Sequence, residues 1–135
     1  MNYAYFKSPS GANLYQGYLE AECQRFKWIP KVKVYYDKAG YESPFLHKLL
    51  CWLEKGDSLY INHINSLGSK SYDILSILEN FNNSGIRFFI NRVEVDLSKI
   101  FKKIEEMRQY NVEHLKSQLH DSDIVDAVVQ QLKNL

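Results

Sequence analysis

Along the chain, short continuous or alternating apolar runs give way to stretches in which apolar residues recur every three or four positions. The first pattern predicts strands and the second predicts helices. NYAYF (2–6) is apolar and aromatic and is stopped by SPSG (8–11), which reads as a strand followed by a turn. From Asn13 to Phe26, the positions Leu14, Tyr18, Leu19, Cys23 and Phe26 fall near helical spacing. Pro30 closes that region, and KVKVYYD (31–37) reads as a second strand before the turn KAGY. Ser43 is the expected cap of the next helix, with Pro44 at the first helical position, where a missing N–H costs nothing. Leu46, Leu49, Leu50 and Leu53 form its buried face and Gly56 is its expected stop.

SLYIN (58–62) predicts the third strand. SKSYDILSILENFNNSG (69–85) predicts a helix that buries Ile74, Leu75, Ile77, Leu78 and Phe81 and ends on glycine. IRFFINR (86–92) predicts a fourth strand, with a short edge strand near Val93–Val95. Beyond it, Leu97, Ile100, Phe101, Ile104, Met107, Val112, Leu115 and Leu119 make one long stripe at three- and four-residue steps. HDSD (120–123) interrupts the stripe, and Asp121 or Ser122 is the expected cap of a last helix carrying Val125, Val128, Val129 and Leu132. Strands alternating with helices give an α/β class: a mainly parallel sheet of four to five strands flanked by helices, with a long C-terminal helix and a short final one.

Composition narrows the function more than the fold. The 135 residues are 45% hydrophobic and 24% charged, as expected of one globular domain spanning 1–135. A formal net charge of +1 argues against a polycation built for nucleic acid. Residues 1–70 carry nine basic and six acidic side chains, whereas 71–135 carry eight and ten. Cys23 and Cys51 are too few for a disulfide scaffold and read as small buried thiols. No run approaches the ~18 apolar residues of a membrane span, and no signal-peptide core follows the start, so a cytoplasmic location is expected.

Several segments carry a further pattern. YAYFK (3–7), DKAG (37–40), SPFL (43–46), LLCWLEKGDSLYINHINSLGSK (49–70) and ILENFNNSGIRFFI (77–90) occur in a particular order and spacing. In that respect the chain resembles the catalytic domain of the serine site-specific recombinases, the resolvase/invertase family, over residues 2–119. The first segment stands at the family's Y-x-R-x-S strand, the second at its D-x-x-S-G turn, the third at its R-P-x-L helix start. The long segment follows L-L-x-x-L-x-x-G-D-x-L-x-V-x-x-L-D-R-L-G-R-S nearly position for position.

The resemblance implies a resolvase-like fold and a DNA-cleaving ancestry. In that chemistry a serine hydroxyl attacks a backbone phosphate, and several guanidinium groups stabilise the charge gathered on phosphoryl oxygens. Here those positions hold other residues. Tyr5 stands at the arginine and Lys7 at the nucleophilic serine of the first motif, and Ser43 replaces the arginine before the proline. Asn65 and Ser66 replace the aspartate and arginine of D-R-L-G-R, and Ser69 replaces its final arginine. Tyr3, Asp37, Gly40, Pro44, Leu67 and Gly68 are retained. Since losing one preorganised donor typically costs ~10²–10³ in rate, this set implies a pseudoenzyme. The alternative is a rearranged recombinase site with Ser8 as nucleophile.

The resemblance also implies partners. In the family the long helix carries the dimer interface, so Leu97, Ile100, Phe101, Ile104, Met107, Val112 and Leu115 are the expected dimer contacts, in a homodimer or a heterodimer with a related recombinase. No helix-turn-helix DNA-binding domain is expected in the chain, and HDSDIVDAVV is acidic where phosphate contacts need Lys or Arg, so DNA binding is expected to be weak. A plainer reading is a small α/β module that binds an anion, through Lys7 or the backbone of SPSGAN (8–13). No cofactor is expected. His47, His63, His114 and His120 show no metal-ligand spacing, so no metal site is expected either.

Overall fold

The computed structural model describes residues 1–8, 16–38, 42–113 and 120–135. In chain order they form β1 (Asn2–Ser8), α1 (Gln16–Gln24), β2 (Lys33–Lys38), α2 (Pro44–Trp52), β3 (Ser58–Ile61), α3 (Ser71–Ser84), β4 (Arg87–Ile90), β5 (Val93–Val95), α4 (Leu97–Glu113) and α5 (Asp121–Lys133). A single 3-10 turn, Ile64–Leu67, follows β3 and was not legible as a separate element. The strands join in one sheet of order β2-β1-β3-β4-β5, parallel except for β5, which pairs antiparallel to β4. The α/β class with a mainly parallel five-stranded sheet is therefore as expected.

The order has a functional consequence. The chain steps from β1 to β2 on one side, then crosses back to β3 on the other. The connections thus diverge at the carboxyl ends of β1 and β3, the topological switch point where open α/β sheets hold their ligands. Right-handed crossovers put α1 on one face of the sheet and α2 and α3 on the opposite face.

The main face buries Tyr3, Tyr5, Leu59, Ile61, Phe88 and Ile90 of the strands under Leu46 and Leu49 of α2, Ile74, Leu78 and Phe81 of α3, and Ile124, Val125, Val128 and Val129 of α5. The second face is smaller: Ala4, Phe6, Phe26, Ile29, Tyr60 and Phe89, with Tyr18, Leu19 and Cys23 of α1 packed on them.

Several boundaries differ from the sequence reading, each for a local reason. β1 runs on through Ser8, expected as a turn, because its backbone stays in register with Lys38 of β2. β2 starts at Lys33, since Lys31 adopts a left-handed φ of 50° that a strand does not tolerate. α2 ends at Trp52, where the Leu53 N–H bonds the Leu49 carbonyl at 2.9 Å and the chain turns extended. Gly56, expected as its stop, serves the turn into β3 instead. Gly85 does end α3 in a left-handed conformation (φ 70°), with the Ile86 N–H reaching back to the Phe81 carbonyl at 3.0 Å. β4 stops at Ile90 because Asn91 and Arg92, with φ of 48° and 68°, form a two-residue hairpin turn into β5.

The cap of the last helix is also a correction. His120 takes the cap position and its N–H donates to the Asp123 carboxylate at 3.2 Å. Asp121 is occupied elsewhere, accepting from Arg108 at 2.7 Å and from the Tyr72 hydroxyl at 2.7 Å. Lys38, expected in a turn, belongs to β2; residues 39–41 of that turn, the loop over 9–13, and Leu115 and Leu119 of the long stripe lie outside the described residues.

Candidate functional site at the carboxyl ends of the strands

Parallel pairing brings the expected site positions to one end of the sheet. Tyr5, Lys7 and Ser8 of β1 stand in register with Tyr35, Asp37 and Lys38 of β2. The 3-10 turn carrying Asn65 and Ser66 packs against β1.

At its centre lies Asp37, a carboxylate only 4% exposed. A buried charge survives only when its lone pairs are met by donors. Three donors do so. The Tyr5 hydroxyl donates at 2.7 Å, and the backbone N–H groups of Phe45 and Leu46 donate at 3.1 and 2.9 Å. Those two N–H groups are orphan donors of the first turn of α2, so Asp37 caps a helix that starts six residues after the strand it sits on. Ser43, the expected cap, makes no side-chain capping bond at that helix. Asp37 thus locks β2, β1 and α2 together.

Tyr5 is fully buried. Burial holds its phenol protonated well above the ordinary tyrosine range, and the hydrogen bond to Asp37 pushes in the same direction. An un-ionised phenol therefore donates to a carboxylate at the position where the resemblance expects an arginine. Ser8 is equally buried, and its hydroxyl donates to the Asp37 carbonyl at 3.4 Å. That geometry points the oxygen at the neighbouring strand rather than at solvent.

Around this sealed centre the remaining positions scatter. Lys7 is half-buried, Asn65 and Ser69 are exposed, and Ser66 is buried beneath the turn. His63 accepts from the Asn65 N–H through Nδ1 at 3.2 Å and acts as the cap of the 3-10 turn, a structural duty. Among the described residues, one buried side-chain atom has no hydrogen-bond partner: Nδ2 of Asn62, directly after β3 at the switch point. Sequence reasoning placed Asn62 in a strand and gave it no role. No group of three His, Cys, Asp or Glu side chains is arranged for a metal among the described residues.

The expected dimer helix can be traced as far as Glu113. Leu97 and Ile104 are buried, and Ile100, Phe101 and Met107 are half-buried against the main core. α4 packs on α3 and α5 of its own chain, with Lys103 donating to Gln131 at 3.1 Å and Arg108 chelating Asp121 at 2.7 and 3.1 Å. Within the described residues, α3 and α5 cover the stripe in part, leaving Ile100, Phe101 and Met107 half-buried. No described helix is long and apolar enough to cross a membrane.

A cavity of about 720 Å³ opens beside this region, along the outer side of β2. Val34, Tyr35, Tyr36, Lys38, Glu42, Pro44 and Phe45 line it, and Asp37 forms part of its wall. From sequence, Tyr35 and Tyr36 are candidates for a base-stacking platform and fit core and rim packing better; the edge position of β2, which no local pattern reveals, is what opens them.

Comparison with protein-family models and with curated proteins returns no match for this chain.

Proposed function

We propose that the domain is a catalytically silent relative of the serine recombinases, of resolvase/invertase type, that acts through protein–protein contact. The contact is with a second copy or with a related recombinase, whose active site a mixed dimer would leave incomplete. One observation carries the reading: the strand end that would hold the chemistry is packed shut by the Tyr5–Asp37 hydrogen bond, with Ser8 fully buried beside it. A phosphate cannot reach a hydroxyl in that position, and no arginine stands at any of the expected family positions. The burial of Ser8 counts equally against the reading in which it serves as a rearranged nucleophile.

The test is direct. Purified protein is incubated with supercoiled and linear duplex DNA, quenched in denaturant, and examined for a covalent protein–DNA adduct. No adduct is expected. An adduct abolished by Ser8→Ala would overturn the proposal. Binding to mixed-sequence duplex across a salt series gives the second arm. A protein that contacts several phosphates loses affinity steeply as salt rises, whereas here weak binding with a shallow salt slope is expected.

A further inference from the structure

β2 is one of the sheet's two edge strands, so one side of its backbone has no partner among the described strands. Edge strands are normally blunted, because unpaired N–H and C=O groups invite another chain. This one is flanked by aromatic side chains. Tyr35 lies on the main face against Phe45 and Trp52, with ring centroids 6.1 and 5.7 Å away. Tyr36 lies on the other face, stacked on Phe6 at 5.4 Å. Phe45 is 40% exposed, Trp52 46% and Tyr36 36%.

α2 is also unusual for a surface helix. Phe45, Cys51 and Trp52 all face outward on a helix of nine residues. An exposed aromatic patch continuous with an open strand edge marks an interaction surface. The 720 Å³ cavity already described lies at the start of this surface, with Phe45 in its wall, and Trp52 extends the patch beyond it through its contact with Tyr35.

Charge selects the occupant. Lys33 and Lys38 stand exposed at the two ends of β2, and Lys48 lies over the Phe45 ring at 5.2 Å. Among the described residues, Glu42 is the one acidic side chain lining the cavity apart from the buried Asp37. A second copy pairing antiparallel about the midpoint of β2 would set Lys33 directly opposite Lys38, a destabilising like-charge pair. An extended segment with apolar residues at its centre and carboxylates at its ends meets both the open backbone and the lysines.

We propose that the β2 edge and the aromatic face of α2 form a docking groove for an extended, acid-ended segment of a partner protein, which adds to the sheet as a sixth strand. The inference rests on the reading that the domain works by protein contact, and it names the surface. Added backbone hydrogen bonds supply the attraction, Tyr35, Phe45 and Trp52 receive alternate side chains on one face, and Tyr36 receives those on the other.

The experiment is an NMR titration of the full chain with synthetic peptides. The first is a capped octapeptide of alternating valine and threonine with two aspartates at each end. The second carries lysines in place of the aspartates, and the third is the acidic peptide with alternate backbone nitrogens methylated. Expected are saturable shifts confined to the amides of 33–38 and 44–52 for the acidic peptide, with at least tenfold weaker binding for the other two. Phe45→Ser with Trp52→Ser should weaken the acidic peptide at least tenfold, a thermal melt confirming that the variant is folded. Lys33→Glu with Lys38→Glu should reverse the preference between the acidic and basic peptides. Equal binding of the acidic and basic peptides, shifts elsewhere, or no shifts at millimolar peptide would overturn the proposal. So would a concentration-dependent dimer abolished by Phe45→Ser, which would assign the face to a second copy. The DNA trap decides the contact reading independently, so either idea can fail without the other.

Discussion

The two faces of the sheet solve the same problem with different chemistry. Among the described residues, twenty-four buried hydrophobic side chains, mostly aliphatic, interlock on the main face between the sheet and the helices α2, α3, α4 and α5. On the second face six described side chains are buried, four of them aromatic, with α1 packed against them. There Tyr60 stacks on Phe89 at 4.3 Å, Trp28 meets Tyr60 edge-on at 5.4 Å, and guanidinium groups lie over the rings, Arg87 over the buried Phe89 and Arg92 over the exposed Trp28, at 5.2 Å each. Aliphatic packing needs helices to exclude water. Aromatic rings clad by arginine tolerate a wet boundary, because a guanidinium binds a ring face while keeping its hydrogen bonds to solvent.

The sharpest way to break this contrast uses two neighbours in β4. Phe88 points into the main core and is fully buried, whereas Phe89 points into the second face and is 9% exposed. Phe88→Ala should cost about 3–5 kcal/mol, the range for a large cavity in a rigid core. Phe89→Ala should cost clearly less, since Trp28 and Arg87 can settle into the space. Urea unfolding of both variants checks it, and equal losses would mean that the faces are energetically alike.

The second prediction concerns where the main face meets the sealed strand end. Tyr5→Phe removes one of three donors from the buried Asp37 carboxylate. The expected loss is about 1.5–3 kcal/mol, the range for a hydrogen bond to a charged group. A loss near zero would show that the phenol is packing alone and that Asp37 is satisfied by the α2 N–H groups.

What was readable in the sequence follows from the same division. Periodicity found α2, α3 and the strands because each buries a regular stripe on the main face. It overran or missed where one residue's duty is set across the sheet. Asp37 reads as the last residue of a strand, yet it caps α2. Ser8 reads as a turn residue, yet Lys38 holds it in the ladder. Asp121 reads as a cap but is engaged by Arg108 and Tyr72, one thirteen residues and the other forty-nine residues away. The open edge of β2 depends on strand order, which no local pattern encodes. That Tyr5, Lys7 and Ser43 stand at the positions the resemblance assigns to arginine and serine is legible in the sequence; that a tyrosine–aspartate pair closes the strand end is not.

The third prediction tests how α5 is held on α4. Arg108 holds the Asp121 carboxyl below its ordinary value, and the Tyr72 hydroxyl adds to the effect. A carboxylate with a depressed folded pKa contributes stability above its unfolded pKa, near 3.9, and that contribution fades as pH falls through the folded value. α5 should therefore loosen below about pH 4. Asp121→Asn should flatten that part of the pH profile while costing well under 1 kcal/mol at neutral pH, because the pair is half-exposed. Hydrogen exchange of the α5 amides at two pH values reads it locally.

The smallest effect tests the cladding of the second face. Arg92 occupies a left-handed position (φ 68°) in the β4–β5 turn, where glycine is at ease and arginine is strained by about 1 kcal/mol. Arg92→Gly relieves that strain, increases the freedom of the unfolded chain, and deletes a cation–π contact of about 0.5–1 kcal/mol. The terms nearly cancel, so the single variant should stay within about 0.5 kcal/mol of the parent. In a Trp28→Ala background the contact is already gone, and the same change should become less costly or stabilising. The difference between the two backgrounds measures the Arg92–Trp28 contact without the strain, because the strain is common to both. An identical effect in both would mean that the arginine does not hold the ring, leaving the left-handed turn residue with no stabilising contact to account for it.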